Sequence, residues 1–326
     1  MATKKNRLGV WLAAGLLVWS PPAASSWLAE LVEGWVTPTV ARLETVLFFK
    51  LPLLEIPFVV LWLLVGACYF TVRMNFINLR GFRHAIHITL GRYDDASTPG
   101  EISHFQALAS ALSATVGLGN IAGVALAVSA GGPGAIFWLV VAGLLGMSSK
   151  FTECTLAQMY RRVSADGTIT GGPMVYLSDG LAALGWPRLG RSLGNLFAVF
   201  CIGGALGAGC MFQANQSFAV LVGAFPEARE LDWLVGTLLA VAVGVVILGG
   251  IKRIALIAAR LVPSMCLVYL LCAAYILLSE FAQIPTAVAL IVSQAFAPES
   301  VYGGFLGVLV IGVQRAAFSN EAGIGS

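Results

Sequence analysis

A long apolar stretch of the sequence is interrupted by Gly117, Gly119 and Gly123, with Thr115 just before them and Asn120 among them. Glycine weakens a helix and exposes backbone N–H and C=O groups. In hydrocarbon these groups need partners, so irregular backbone persists only where protein buries it or where it lines a cavity. A helix broken in this way can attract a carboxylate at a half-helix N-terminus and bind a cation through freed carbonyl oxygens. A small-residue face that packs on a neighbouring helix is the alternative interpretation.

The last eight residues, SNEAGIGS, repeat the S-x-x-x-G-[LI]-G spacing of residues 113–119. In the topology predicted below, the first copy runs outward from the cytoplasm and the second copy runs inward. Interrupted segments of opposite orientation are typical of an inverted repeat, whose binding site lies where the two repeats meet. The pattern therefore predicts a second broken helix and a site that both segments share.

Asn320 and Glu321 lie inside this second segment. An ionisable residue within a membrane costs a few kcal/mol on insertion scales and usually faces a cavity or a partner. Glu321 therefore either helps to bind a cation or pairs with a basic residue, of which Arg315 is the nearest in sequence. Both interpretations stay open at this point.

Two side-chain amides, Gln213 and Asn215, lie in another apolar segment that is rich in glycine. They are suited to bind an ammonium or carboxylate group of a small ligand, or to form hydrogen bonds between helices. Lys150 and Glu153 fall near the cytoplasmic end of a predicted helix. We expect a structural role for that pair.

Neither a metal site nor a catalytic site is predicted. The six cysteines lie in apolar stretches without a CxxC or CxxH pair, which is typical of buried thiols that pack between helices. His84 and His87 are three residues apart beside Arg83, and we expect them on a solvated loop. The predicted spans contain no HExxH motif, Ser/Lys dyad or paired aspartates, so a membrane-embedded enzyme is not indicated.

The composition indicates which elements must position these residues. The chain is 58% hydrophobic and only 11% charged, whereas soluble domains carry about 25% charged residues. Each membrane-spanning helix needs roughly 20 apolar residues. We predict an all-α integral membrane protein with spans at 51–72, 105–129, 135–160, 193–222, 231–248 and 261–281, and a last span that begins near 301.

The distribution of lysine and arginine predicts the orientation of these spans. Fifteen of the 19 basic residues fall on one side of the membrane when the chain is threaded through the predicted spans. Cytoplasmic loops carry the excess of lysine and arginine, so that side is the cytoplasm. We therefore expect a multi-pass protein of the inner membrane, in which the N-terminus of the 51–72 helix lies outside.

The N-terminal region has a separate character. Lys4, Lys5 and Arg7 precede an apolar run at 8–19, which small residues and two prolines follow. A cleaved signal peptide and an uncleaved anchor both fit this pattern. Residues 26–50 read as a short amphipathic segment at the outer surface.

Several motifs together resemble the alanine/glycine:cation symporter family, over residues 51–326 and in the expected order. They are GGPGAIFW at 131–138 after GLGNIAG, GGPM at 171–174, GIKRI at 250–254 with LVP at 261–263, and FSNEAG at 318–323. The resemblance implies symport of alanine or glycine with sodium, or in some members with protons, and no other cofactor. It implies an amino acid and the lipid bilayer as partners, no nucleic acid, and no particular oligomeric state.

The resemblance also implies a leucine-transporter-type fold, with one extra N-terminal helix before two inverted five-helix repeats. The domains would then be 1–50, the extra helix and basic loop at 51–104, the first repeat at 105–281 and the start of the second at 282–326. In the family the broken-helix segment and a glutamine of the third core helix contribute to the substrate site. These match Thr115, Val116, Gly117, Leu118, Gly119, Asn120 and Gln213, to which we add Asn215 from its position. For the cation, motif and position suggest Asn120, Ser319, Asn320, Glu321 and Gly323.

Three departures from the family pattern bear on function. Leu118 stands where well-known members have serine or threonine, which leaves the preferred amino acid open. The family's FWMW run reads FWLV at 137–140, a change in packing. Members have four further helices, so we expect a fragment that does not complete an alternating-access transporter by itself. A channel-like or non-transporting membrane protein, and a symporter for another small amino acid, are the alternatives.

Overall fold

The computed structural model describes residues 30, 32–52, 56–94, 100–165, 167–297 and 304–325 of the chain. The chain divides into two compact units, Met1–Val59 and Val60–Ser326. The predicted signal-like segment at 1–25 lies outside the described residues. In the first unit a π-helical turn at Val32–Val36 leads into helix α1, Thr37–Leu47, whose apolar side chains are exposed.

The remaining described α-helices follow in chain order. They are α2 (Phe58–Arg73), α3 (Ile77–Arg80), α4 (Phe82–Thr89), α5 (His104–Thr115), α6 (Ala122–Gly131), α7 (Gly134–Met159), α8 (Pro173–Ala183), α9 (Pro187–Gly204), α10 (Phe212–Ala224), α11 (Asp232–Ile247), α12 (Gly250–Ser279), α13 (Ile284–Ala295) and α14 (Gly304–Asn320). Ala205–Met211 is a π-helical link between α9 and α10, and short 3-10 turns occur at Pro226–Leu231 and Phe281–Gln283.

Four described helical segments are long and apolar enough to cross a membrane: Gly134–Met159, Pro187–Ala224, Pro226–Ile247 and Gly250–Ser279. Most of their surface is exposed, as for Leu270 at 62%, and such exposed apolar surface is typical of helices that face lipid. The predicted helical, multi-span character is confirmed at this level. The predicted spans 135–160 and 231–248 agree with α7 and α11 to within one residue at each end.

The predicted span 261–281 is too short. Helix α12 begins at Gly250, so Lys252 and Arg253 lie on a helix and not in a loop. Gly250 has a φ of +71°, a left-handed conformation that separates α12 from α11. Lysine and arginine are good helix formers, and their long side chains carry the charge away from an apolar helix surface. The helix therefore continues through its basic end.

Two further helices, α8 and α13, are missing from the predicted set. Both begin with a proline in their first two positions, Pro173 in α8 and Pro285 in α13. Proline is favoured there because its fixed φ suits the first turn and its missing N–H has no helical partner to lose. Gly172, directly before α8, has a φ of +91°.

A two-stranded hairpin connects α7 to α8. Strand β1 (Arg162–Val163) pairs in antiparallel fashion with β2 (Ile169–Thr170). Arg162 Nε donates a hydrogen bond to Asp179 Oδ2 of α8 (2.9 Å), and a second guanidinium nitrogen donates to Oδ1. This hydrogen bonding to Arg162, together with the guanidinium charge, lowers the pKa of the Asp179 carboxyl.

Small residues bring α7 close to α13 and α14. A Cβ on Gly134 would lie 2.5 Å from the backbone carbon of Gln294, and one on Gly312 would lie 2.7 Å from Trp138 Cβ. Trp138 Nε1 donates to the carbonyl of Ala295 (2.9 Å). Close approach through small residues and interhelical hydrogen bonds are characteristic of helix packing in membranes. These contacts fix α14 against α7, and with it the segment that follows α14.

Candidate functional site

The first broken helix lies where the glycines predict it. Helix α5 ends at Thr115 and α6 begins at Ala122, and residues 116–121 between them are not helical. Inside the break Asn120 Nδ2 donates to the Thr115 carbonyl (2.6 Å), and the Gly123 amide donates to the Leu118 carbonyl (2.9 Å). The asparagine side chain thus bonds an acceptor at the C-terminus of α5 that continued helix would have satisfied.

The second copy of the pattern also ends a helix. Helix α14 stops at Asn320, and Glu321 has a φ of +50°. Positive φ is uncommon for a residue with a side chain, and here it ends the regular helical hydrogen bonding. Gly323 and Gly325 follow with φ values of +88° and +81°. The chain therefore leaves α14 in the same part of the repeated motif that ends α5.

The two breaks are in direct contact. A Cβ on Gly119 would lie 2.9 Å from Ser319 Cα, so only glycine allows this approach. Ser319 is buried, with 2% of its surface exposed, and its Oγ donates a hydrogen bond to Asn120 Oδ1. Three of the predicted site residues are thereby brought together.

Of the two predicted amides, only Gln213 lies beside the first break. A Cβ on Gly117 would lie 3.8 Å from Gln213 Nε2, and the Gln213 side chain is half-buried. Asn215 is exposed on the same helix, α10, and its Oδ1 accepts a hydrogen bond from Gln216 Nε2 (3.3 Å). The described contacts therefore join Gln213, and not Asn215, to the candidate site.

The remaining predicted cation ligands face other helices. A Cβ on Gly143 of α7 would lie 3.1 Å from Asn320 Nδ2, and one on Gly323 would lie 2.7 Å from Leu63 Cδ2 of α2. The five candidate ligands thus fall into two groups. Asn120 and Ser319 meet at the junction of the breaks, whereas Asn320, Glu321 and Gly323 lie on the side of α7 and α2.

Lys150 and Glu153 of α7 bind the second break at both ends. Lys150 Nζ donates to the Glu321 carbonyl (3.3 Å) and forms an ion pair with Glu153 Oε2 (3.4 Å). Glu153 Oε1 accepts from the Gly325 amide (3.2 Å). From the sequence we expected a structural role for Lys150 and Glu153, but not their hydrogen bonds to residues 321 and 325. The signal was present, because two ionisable residues three apart on a membrane helix usually face a functional or polar partner.

A cavity of about 290 Å³ adjoins the first break and α14. Phe212 of α10 and Phe318 of α14 meet edge to face across one side, with ring centroids 6.0 Å apart. The lining is otherwise small or aliphatic, apart from Arg315 of α14. The described lining residues are Leu118, Gly123, Leu126, Gly207, Phe212, Arg315 and Phe318.

Helix polarity gives this arrangement its chemistry. Helix α6 begins at the first break, and no side chain caps its N-terminus. Helix N-termini carry partial positive charge and suit a carboxylate. Helices α5 and α14 both end at the junction, and helix C-termini present carbonyl oxygens, which suit a cation. Within the described residues no group of three or more histidine, cysteine or acidic side chains could hold a metal ion. These polarities suit a carboxylate at the start of α6 and a cation near the ends of α5 and α14.

Comparison with known proteins identifies the family of this chain. The profile of the sodium:alanine symporter family matches residues 42–326. The sodium/alanine symporter AgcS of Methanococcus maripaludis is 40% identical over 272 residues, 83% of this chain and 58% of that protein. In Bacillus subtilis the amino-acid carrier protein AlsT is 36% identical over 282 residues (84% of this chain, 57% of AlsT).

A third relative has another substrate in its name. The "Probable sodium/glutamine symporter GlnT" of Bacillus subtilis is 39% identical over 266 residues, 81% of this chain and 53% of that protein. The chain thus spans between 53% and 58% of the length of these three relatives. The resemblance predicted from the motifs is confirmed, and the chain belongs to the sodium:alanine symporter family.

Proposed function

We propose that this chain acts in the sodium-coupled symport of a small neutral amino acid, alanine or glycine, across the inner membrane. The observation that carries the proposal is the contact between the two broken helices, through Gly119, Asn120 and Ser319. Transporters of this kind bind substrate and ion where interrupted helices of two repeats meet. Family membership supports the same class of function, and AgcS is named as a sodium/alanine symporter.

The proposed substrate site is the first break from Thr115 to Asn120 together with Gln213. The α6 N-terminus would bind the carboxylate, and the Gln213 amide would bind a polar group of the substrate beside Gly117. Asn120 and Ser319 would supply cation ligands at the junction. Asn320, Glu321 and Gly323 would shape the second break, and Asn215 would contribute only after a rearrangement of α10.

The proposal includes a leucine-transporter-type architecture. In it, 51–104 hold an extra helix whose N-terminus is outside, 105–281 form the first repeat and 282–326 begin the second. Sodium bound at the junction would hold the two breaks together, which favours substrate binding. Such reciprocal linkage between ion and substrate is what couples their movement.

Uptake into proteoliposomes tests the function. The gene product that contains this sequence is reconstituted, and labelled alanine, glycine and glutamine are supplied with a sodium gradient, a proton gradient or neither. We expect saturable accumulation of alanine or glycine that disappears without the sodium gradient. Accumulation of glutamine alone would reassign the substrate within the family. Uptake that never saturates and ignores both gradients would indicate a channel and contradict the proposal.

A further inference from the structure

Arg315 is a charged residue within a helix whose apolar part, Leu306–Asn320, is one of the shorter apolar helices of the chain. It lies five residues before the end of α14, is half-buried and lines the cavity of about 290 Å³. Throughout the described part of the chain, no hydrogen bond or ion pair involves its guanidinium group. The backbone carbonyl of Glu321, the acidic residue nearest to it in sequence, accepts a hydrogen bond from Lys150 Nζ (3.3 Å).

A guanidinium in this position needs an anion or water. Charged side chains within membrane helices are expensive and face a cavity or a partner. The other described lining side chains, among them Leu118, Leu126, Phe212 and Phe318, have no polar group. Among the described lining residues, Arg315 therefore supplies the one charge that this cavity offers to a ligand, and that charge is positive.

The N-terminus of α6 adds to the positive electrostatic potential that Arg315 creates in the cavity. Gly123, the second residue of α6, lines the cavity with Arg315, and its own amide donates to the Leu118 carbonyl (2.9 Å). Backbone N–H groups at a helix start carry partial positive charge over the first turn. The guanidinium is therefore the direct donor for a negatively charged group in this apolar cavity, and the start of α6 adds only partial positive charge beside it.

We propose that Arg315 binds the carboxylate of the transported amino acid, and that the apolar walls of this cavity enclose its aliphatic side chain. The inference rests on the proposed function and names the residue that recognises the substrate's charge. The planar guanidinium presents paired N–H donors that match the two oxygens of a carboxylate, which the ammonium of lysine cannot reproduce. The volume corresponds to about ten water molecules at ~30 Å³ each, enough for a small amino acid.

Ligand binding to the purified protein in nanodiscs tests this role. Labelled L-alanine is displaced at pH ~6.5 in sodium gluconate by L-alanine or by L-alaninamide, which has the same side chain and protonated amine but no carboxylate. The variants are Arg315→Gln and Arg315→Lys. The matched control is Arg253→Gln, which removes an exposed basic residue of α12.

We expect the wild type to prefer alanine over alaninamide by at least about tenfold. In Arg315→Gln, alanine binding should weaken by about 10-fold to 100-fold, the range for a lost charge-assisted hydrogen bond, while alaninamide binding changes little. Arg315→Lys should fall between the two, and Arg253→Gln should match the wild type.

Several results would overturn the inference. It fails if Arg315→Gln binds alanine like the wild type, or if alanine and alaninamide lose affinity equally. If Arg315→Gln does not fold, the affinities of the wild type for alanine and alaninamide still test the inference. Equal affinities would contradict a bound carboxylate. A wild type that binds neither alanine, glycine nor glutamine in sodium would contradict the proposed function itself. Intact, sodium-dependent binding that is indifferent to Arg315 would contradict only this inference.

Discussion

Ser319 donates a hydrogen bond from its hydroxyl to the side-chain carbonyl of Asn120, a residue 199 positions earlier in the chain. The bond joins the end of α14 to the non-helical segment between α5 and α6. Asn120 in turn donates from Nδ2 to the Thr115 carbonyl (2.6 Å). One amide thereby links both broken helices, and the first predictions concern this link.

Replacement of Ser319 by alanine should weaken the junction. The oxygen of the half-buried Asn120 side chain would lose this donor, which costs about 1 kcal/mol in unfolding free energy. Half-saturation by sodium should also need a higher concentration, because the two breaks would be held together less firmly. Thermal unfolding and sodium titration of alanine binding measure these effects. Ser293→Ala is the control, since that exposed hydroxyl bonds only the Leu290 carbonyl of its own helix (3.1 Å). Equal behaviour of the two variants would contradict a role for the Ser319 bond.

The close approach at Gly119 predicts an intolerance of any side chain. In Gly119→Ala the new methyl would lie 2.9 Å from Ser319 Cα, which is backbone and cannot rotate away. Overpacking of this kind typically costs about 1–3 kcal/mol. Gly236→Ala on α11 is the matched control, because no atom lies within 4 Å of its added Cβ. We expect reduced thermal stability and alanine binding for the first variant alone, and a stable, active Gly119→Ala would refute the contact.

The pair Lys150 and Glu153 should act on the second break as a unit. Lys150→Met removes the bond to the Glu321 carbonyl, and Glu153→Ala removes the acceptor of the Gly325 amide. Each single change should cost about 1–3 kcal/mol of unfolding free energy. The double variant should cost at least ~0.5 kcal/mol less than the sum, since either change also breaks the 3.4 Å ion pair. Thermal or denaturant unfolding of the wild type, the two single variants and the double variant gives the four free energies that are needed. If the two single losses add up to the loss in the double variant, Lys150 and Glu153 are not coupled. Lys252→Met, at an exposed position, controls for the loss of charge.

Leu118 should influence the choice of substrate. It lines the cavity beside the first break, where its four-carbon side chain favours an apolar ligand over one with a polar end. Leu118→Ser adds space and a hydroxyl, so glutamine should gain relative to alanine by about tenfold, a typical effect of a small change in pocket lining. Competition of the two amino acids for labelled alanine measures the ratio. The same change at Leu108, exposed on α5, should leave the ratio unchanged. A ratio that does not respond to Leu118→Ser would exclude this residue from the substrate pocket.

The salt bridge between Arg162 and Asp179 predicts a specific pH dependence. Hydrogen bonding to Arg162 lowers the pKa of Asp179 in the folded protein. Its stabilising contribution is therefore present above the pKa of an unfolded aspartate, about 3.9, and is lost as the pH falls through the lower folded value. NMR titration of the Asp179 carboxyl should give a midpoint below that of an ordinary aspartate. In Arg162→Gln the midpoint should rise toward the ordinary value; an unchanged midpoint would mean that Arg162 is not the cause.

Local features of the sequence predict much of this protein. Apolar runs of about 20 residues indicate the spans, because the thickness of the hydrocarbon core sets that length. The glycines at 117 and 119 predict the first break, and the repeated SNEAGIG motif predicts the second, since glycine weakens a helix wherever it is placed. The motifs also indicate the family. Boundaries were less predictable: α12 extends back over Lys252 and Arg253 because lysine and arginine are compatible with helix as well as loop.

Only the tertiary structure decides which of these residues meet. How α7 and α14 pack decides two sets of contacts. They are the hydrogen bond between Ser319 and Asn120, and the hydrogen bonds of Lys150 and Glu153 to residues 321 and 325. That packing is set by the shapes of side chains distant in sequence, such as Gly312 against Trp138. Arg315 illustrates the limit: its sequence position suggested Glu321 as a partner, whereas its place on α14 directs it to a cavity. Periodicity and motifs are local properties, but the surroundings of a side chain depend on every helix packed around it.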